Sequence, residues 1–202
     1  MEEHLSEITA PGKGELRDRG SRFYAYAYPV REMAEIDAWV LALEKQYHDA
    51  RHHCYAYRLG VKGETTYATD DGEPSHSAGT PILSAIRAAS LTHTLVVVIR
   101  YFGGTKLGVR GLIDAYRGAA ADALDNLAKR ELVPSIAFTL RFSYEQTSHI
   151  NRLLHPFELQ QLQANYTERC ELTYGIREGD YPGVERVLQQ AGIEPENVHS
   201  YF

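Results

Sequence analysis

Residues 67–116 restrict the possible folds of this chain more than any other part of the sequence, because they set two glycine-rich loops around one apolar strand. Residues 95–99 are wholly aliphatic, which predicts a strand buried on both faces of a sheet. The loop at 103–111 contains four glycines, so its backbone path must be closely specified. A strand, a glycine loop and a helix start in this order can direct backbone N–H groups and the positive end of a helix dipole at an anion.

Hydrophobic periodicity predicts further strands and helices on both sides of this stretch. Tyr24, Tyr26 and Tyr28 alternate with apolar residues, which predicts a strand with the three tyrosines on one face. Thr80 and Pro81 have the residue types of an N-cap and a first helical position. The elements predicted before residue 133 are strands at 23–28, 52–59, 65–69 and 95–99 and helices at 33–47, 80–91 and 111–130.

Pro134 marks the predicted boundary between two domains, residues 1–133 and residues 134–202, because the helical pattern ends before it and proline cannot donate a backbone hydrogen bond. Beyond it we expect a helix capped by Asp180 and closed by Gly192. The elements predicted there are strands at 136–144, 162–167, 171–176 and 198–202 and helices at 146–155 and 180–191. Their order, β-α-β-β-α-β, is that of a ferredoxin-like domain, and the predicted fold class is α+β.

Several motifs resemble the signature of the YigZ/IMPACT family. They are TDDGEPS, AGTPIL, RYFGGTKLG and GLIDAY, and the similarity extends upstream through SRFYAYAYPV and HHCYAYRLG. The resemblance implies an N-terminal domain like the second domain of a small-subunit ribosomal protein and domain four of elongation factor G. It implies a C-terminal domain like the last domain of that factor. The chain departs from the family pattern where His76 and Ser77 replace Gly-Thr, Arg110 replaces a glycine, and Ile113 and Asp114 replace Val-Arg.

The glycine loop and its flanking elements contain the first candidate site. Lys106 lies within the loop, while Arg110 and Arg117 are spaced to share one helical face. The loop lacks the lysine–serine step of a Walker A motif and the pattern of a dinucleotide fingerprint, so a structural loop without a ligand is the alternative. The candidates for nucleic-acid or anion binding are Arg100, Lys106, Arg110, Arg117, Gly103, Gly104 and Gly108.

The acidic turn is the second candidate site, and its ligand-turn candidates are Asp70, Asp71, Glu73, Ser75 and His76. Clustered carboxylates suit a cation, but Asp-Gly-Glu-Pro is also typical of a tight turn whose aspartate bonds nearby backbone. The turn and the glycine loop flank one helix–strand unit. We therefore expect them to border a shared groove, in which Lys106 and Arg110 offset the charges of the carboxylates.

Other chemistries have weaker support in the sequence. Adjacent residues rarely orient as a serine–histidine pair, so no catalytic residue is assigned to the turn. The run His52, His53 and Cys54 lacks a second pair of ligands, so no metal site is predicted. Tyrosine-rich strand faces usually pack within a protein, and base stacking is the alternative. We expect no cofactor.

Composition and charge limit the location and the partners. The net charge of −6 argues against a general nucleic-acid coat protein, although residues 51–133 hold ten basic and eight acidic residues, or +2. Two distant cysteines without a CxxC motif indicate a reducing compartment. No apolar run approaches the ~20 residues that span a bilayer, and the N-terminus is acidic rather than signal-like, so we expect a cytoplasmic protein that does not contact membranes.

The resemblance implies a link to translation, since eukaryotic relatives act in the amino-acid-starvation response by binding proteins rather than by catalysis. The first hypothesis is a non-enzymatic binding or regulatory protein that contacts RNA, the ribosome or a translation factor. The second is a small-molecule or phosphate-ligand enzyme that uses the DDGEPSHS turn and the GGTKLGVRG loop. The third is an adaptor that binds only a protein partner. The oligomeric state stays open.

Overall fold

The computed structural model describes residues 5–201, which form α-helices and antiparallel β-sheets. The chain divides into two compact units, one ending at Leu132 and one beginning at Val133. Among residues 5–201, no helix has the length and apolar character needed to cross a membrane.

The first unit contains seven strands and three helices among its described residues. The strands are β1 (Ser6–Ile8), β2 (Gly12–Asp18), β3 (Ser21–Pro29), β4 (His52–Leu59), β5 (Thr65–Thr69), β6 (Thr94–Tyr101) and β7 (Lys129–Glu131). The helices are α1 (Met33–Gln46), α2 (Gly79–Ala88) and α3 (Gly108–Leu124).

Five strands form one antiparallel sheet in the order β2-β3-β6-β4-β5, so β6 is its central strand. On one face, α2 and α3 pack against Phe23, Cys54 and Val98. On the other, α1 packs against a layer that includes Tyr26 and Val97. Residues 95–99 have no exposed surface, which confirms the prediction of a strand buried on both faces.

The small ribbon of β1 and β7 corrects two predictions. Residues 5–18 contain two strands, β1 and β2, where no element was predicted, and α3 ends at Leu124 rather than at residue 130. Residues 129–131 pair with β1 instead, because Glu7 is buried there and accepts hydrogen bonds from Arg31, Arg130 and His93. Burial raises the pKa of the Glu7 carboxyl, but the bonds from Arg130 and His93 outweigh it and hold the pKa below its usual range.

The second unit has its own core and one four-stranded antiparallel sheet in the order β11-β8-β10-β9. The order of elements is β-α-β-β-α-β, as predicted. Asp180 precedes the second helix, but its side chain does not cap it, and a short 3₁₀ turn precedes each helix. The elements are β8 (Ser135–Phe142), α4 (Thr147–Leu154), β9 (Gln160–Tyr166), β10 (Cys170–Arg177), α5 (Tyr181–Gln190) and β11 (Glu196–Tyr201).

Candidate functional site

Asp70 of the acidic turn caps helix α2. Its carboxylate accepts hydrogen bonds from the backbone N–H groups of His76 at 2.7 Å and of Ala78 and Gly79 at 2.9 Å each. Partial burial raises the pKa of the Asp70 carboxyl, but these three bonds outweigh it and lower the pKa below its usual value. The helix therefore begins at Gly79 and not at Pro81, because a carboxylate from outside the helix replaces the predicted threonine cap.

The other polar residues of the turn hold its shape. Asp71 accepts a hydrogen bond from the backbone N–H of His53 at 2.6 Å, and the Ser77 hydroxyl donates to the carbonyl of Pro74 at 2.6 Å. His76 has a φ of 62°, in the left-handed region where glycine is strongly favoured. That φ gives a physical reason for the glycine that the family pattern has at this position.

Glu73 is the turn residue that reaches the interior. Its Oε1 accepts hydrogen bonds from Arg100 Nη1 at 2.6 Å and from the hydroxyl of Tyr116 at 2.8 Å. The Cys54 thiol lies behind it, 3.4 Å from the Tyr116 oxygen. Burial raises the pKa of the Tyr116 hydroxyl and of the Cys54 thiol, so both groups stay protonated at neutral pH.

Arg100 neutralises Glu73, whereas Lys106 and Arg110 were expected to offset the turn's charges. Arg100 is the second-last residue of β6 and lies on the face that α3 covers. Its guanidinium lies 5.5 Å from the ring centroid of Phe23 and 5.6 Å from that of Phe102. Only 7% of its side chain is exposed. Its Nε is buried without a hydrogen-bond partner among residues 5–201, which leaves one donor of a charged group unused.

The glycine loop brings α3 close to this arginine. Gly103 lies against the β2–β3 turn, where a Cβ would come within 1.9 Å of a backbone atom of Gly20, so no larger residue fits. Helix α3 begins at Gly108, whose φ of 74° turns the chain into the helix. Among the described residues, no side chain caps this end and its first turn has no acidic residue, so its backbone N–H groups and positive dipole are available to an anion.

One cavity of about 390 Å³ joins the turn and the loop. Glu73 borders it from the acidic turn, Arg100 from the sheet and Lys106 from the loop. Lys106 and Arg110 are exposed, and neither forms an ion pair with any residue between 5 and 201. The complete lining is Glu73, Pro74, Arg100, Phe102, Lys106, Leu107, Gly108, Val109 and Leu112.

The predicted site residues are only partly brought together. Glu73, Arg100, Lys106 and Gly108 line the cavity, and the other eight candidates do not. Arg110 is exposed in the first turn of α3, whereas Arg117 lies two turns further along the helix. The candidates outside the lining are Asp70, Asp71, Ser75, His76, Gly103, Gly104, Arg110 and Arg117.

Two participants were absent from the predicted site. Tyr116 lies in the helix predicted at 111–130 and was not a site candidate, yet its hydroxyl donates a hydrogen bond to Glu73. Ser21, at the start of β3, accepts a hydrogen bond from the backbone N–H of Gly103 at 3.2 Å and lies 3.5 Å from Arg100 Nη2. For Tyr116, the available signal in the sequence was a tyrosine in a helix otherwise lined by alanines. Nothing in the sequence indicated a role for Ser21. Within the described part of the chain, no three His, Cys, Asp or Glu side chains are grouped to hold a metal ion.

Comparison with known sequences and structures finds similar proteins that agree with one another. The profile of the Impact N-terminal domain matches residues 19–124. The IMPACT family member in the pol 5′ region of Thermus thermophilus is 38% identical over 78% of this chain and 81% of its own length. A crystal structure of a hypothetical protein aligns over 99% of this chain and 97% of its own, at 25% identity and a TM-score of 0.64. The two-domain translational regulator Yih1 aligns over 60% of this chain and 47% of its own, at 26% identity and a TM-score of 0.36.

Proposed function

The chain belongs to the IMPACT family, and on that premise we propose that it is a non-enzymatic, translation-linked protein that binds RNA phosphates at the cavity between the acidic turn and the glycine loop. One observation carries the proposal: the uncapped amino end of α3 opens onto the cavity that the buried guanidinium of Arg100 also lines. Helix N-termini and arginine donors are both common partners of phosphate oxygens.

The charges around the cavity support an anionic ligand. Arg100 is already neutralised by Glu73, so the unpaired cations are Lys106 in the loop and Arg110 in the first turn of α3. These two charges, together with the helix dipole, suit one or two phosphates rather than a long duplex. A contact with few phosphates also agrees with the acidic charge of the whole chain.

The link to translation rests on fold kinship. The motifs resemble those of a family whose first domain is like the second domain of a small-subunit ribosomal protein and domain four of elongation factor G. The second unit has the β-α-β-β-α-β order of a ferredoxin-like domain, which we relate to the last domain of the same factor. Ribosomal RNA is therefore the RNA on which we would test the proposal first.

The geometry favours binding over the alternative of a small-molecule enzyme. Each carboxylate of the turn is used in a structural bond: Asp70 caps α2, Asp71 holds β4, and Glu73 pairs with Arg100. The nearby thiol and phenol remain protonated because burial raises their pKa values. Among these groups none is poised as a base or nucleophile.

The test compares two double variants of equal charge. The first double variant is Lys106→Ala/Arg110→Ala, and the control is Lys62→Ala/Arg87→Ala. For each, we measure binding to a fluorescein-labelled single-stranded 12-nucleotide RNA and to small ribosomal subunits, between 50 and 200 mM salt. The control residues are exposed cations at the opposite end of the sheet and of α2. We expect the affinity of the first variant to fall at least about tenfold. Its salt slope, the slope of log affinity against log salt concentration, should become less steep by about 1.4, since each phosphate contact contributes ~0.7 on single strands. Equal behaviour of the two variants would contradict the proposal.

A further inference from the structure

A second groove lies on the opposite face of the sheet, beyond the end of helix α1. It has a volume of about 520 Å³ and is lined by Gly20, Arg22, Tyr24, Tyr47, Tyr101 and Phe102. Its lining is thus four aromatic side chains and one cation. Phe102 also lines the phosphate-binding cavity, so the two depressions meet at this one ring.

The aromatic rings are accessible here because α1 is too short to cover them. The tyrosines at alternate positions of β3 share the α1 face, and Tyr26 and Tyr28 are only 8% exposed beneath the helix. Helix α1 ends at Gln46, so Tyr24 at the uncovered end stays half-buried. Most of the tyrosines therefore pack, as predicted, but at this end of the sheet Tyr24, Tyr47 and Tyr101 are half-buried and Phe102 is exposed.

Neighbouring contacts hold the rings in place. Tyr24 and Tyr47 are nearly parallel, with an interplanar angle of 18°, and Tyr101 meets Tyr24 edge-on at 6.1 Å between centroids. The Tyr101 hydroxyl donates to the Asp49 carboxylate at 2.6 Å, and the Tyr47 hydroxyl bonds that of Tyr26. Rings fixed in this way lose little conformational entropy when a flat ligand stacks on them.

We propose that this groove binds an unpaired nucleobase of a single-stranded RNA whose phosphate lies at the amino end of α3. The inference rests on the proposed function and adds the recognition of bases to that of phosphates. Aromatic faces beside a cationic groove are the usual means of holding single-stranded nucleic acid. Arg22, exposed on the same face as Tyr24, would contact the backbone or stack on a base, and the shared Phe102 connects base and phosphate sites.

The test distinguishes the binding of bases from the binding of phosphates. We measure the binding of two labelled ligands, a single-stranded 12-nucleotide RNA and an abasic oligomer with the same number of phosphates. Both are measured with the full chain and with Tyr24→Leu/Phe102→Leu. Leucine keeps apolar packing and removes the stacking face. Phe102→Leu alone is a second variant, because Phe102 is 56% exposed and its loss should not affect folding. Tyr67→Leu removes an exposed tyrosine outside the groove and is the control.

We expect the double variant to bind the 12-nucleotide RNA at least about tenfold more weakly. Tyr24→Leu alone alters no lining residue of the phosphate cavity, so it should weaken RNA binding but leave binding of the abasic oligomer and the salt slope unchanged. Phe102→Leu should show part of this loss, and Tyr67→Leu none. If Lys106→Ala/Arg110→Ala weakens RNA binding but the groove variants do not, the base site is wrong and the proposed function stands. If the unaltered chain binds neither oligomer, the proposed function fails and the base site with it.

Discussion

Arg100 donates a hydrogen bond from Nη1 to Oε1 of Glu73 at 2.6 Å, with 7% and 4% of the two side chains exposed. This buried ion pair joins the acidic turn to the central strand, β6. The two paired residues are far apart in the sequence. The Tyr116 hydroxyl donates to the same oxygen and adds α3 to the junction. The pair thereby holds three elements around the cavity.

Breaking one side of this pair should destabilise the first unit. We expect Glu73→Gln or Arg100→Met to lower the free energy of unfolding by about 3–5 kcal/mol, because each leaves a buried group without its partner. Glu73→Leu combined with Arg100→Met should recover much of that loss, since both charges are removed together. Denaturant titration of the three variants measures the difference.

The exposed pair of Arg17 and Glu15 provides the comparison. It has a similar distance, 2.7 Å, but 66% and 42% of its side chains are exposed. Glu15→Gln should leave stability nearly unchanged, because solvent screens such a pair. A loss for Glu73→Gln no larger than that for Glu15→Gln would mean that the buried pair does not stabilise the junction.

Local sequence patterns were sufficient for several elements that have one buried face. The strands β4 and β5 have the predicted bounds, and the tyrosines of β3 share one face, because alternation is a direct consequence of burial. The patterns failed where a distant residue determines the local structure. Asp70 moves the start of α2 to Gly79, and pairing with β1 turns residues 129–131 into a strand.

The candidate site, like the fold, was predicted from local patterns only in part. Glycine spacing located the loop, and the positions of Lys106 and Gly108 at the cavity follow from that loop. The choice of Arg100 as partner of Glu73 could not be derived from sequence, because it depends on which face of β6 meets the turn. The aromatic groove depends on where α1 ends relative to the sheet, which is a tertiary property.

The cap formed by Asp70 should make stability depend on pH. The pKa of its carboxyl is lowered in the folded protein, so its contribution is fully present above the unfolded value of ~3.9 and is lost as pH falls through the folded value. We expect Asp70→Asn to cost about 2 kcal/mol at pH 7, with the difference from the unaltered chain shrinking below about pH 4.

Urea titrations of both proteins from pH 7 to pH 3 measure this difference. Asp114→Asn is the matched control, because Asp114 is exposed on α3 and caps no helix. A difference between Asp70→Asn and the unaltered chain that stays constant down to pH 3 would show that the charge of Asp70 is not what holds the helix.

The close contact at Gly103 should be intolerant of any side chain. A Cβ there would lie 1.9 Å from a backbone atom of Gly20, whereas at Gly104 it would meet nothing within 4 Å. Gly104 has a φ of 88°, so alanine there meets only backbone strain, about 1–2 kcal/mol. We expect Gly103→Ala to cost clearly more, about 3 kcal/mol, and to weaken RNA binding because the loop must move. Thermal unfolding of both variants measures the contrast, and equal losses would exclude the contact as the cause.

The two units should also fold as separate domains, with the boundary that we predict at Pro134. The hydrophobic clusters of the first unit share no residue with that of the second. We expect fragments 1–133 and 134–202 each to unfold cooperatively, the shorter one at a lower temperature because a small domain buries a smaller share of its surface. Circular dichroism and amide NMR spectra of the two fragments measure this, and a disordered spectrum for either one would contradict it. Because every lining residue of the cavity precedes Pro134, fragment 1–133 should keep the RNA affinity and salt slope of the full chain.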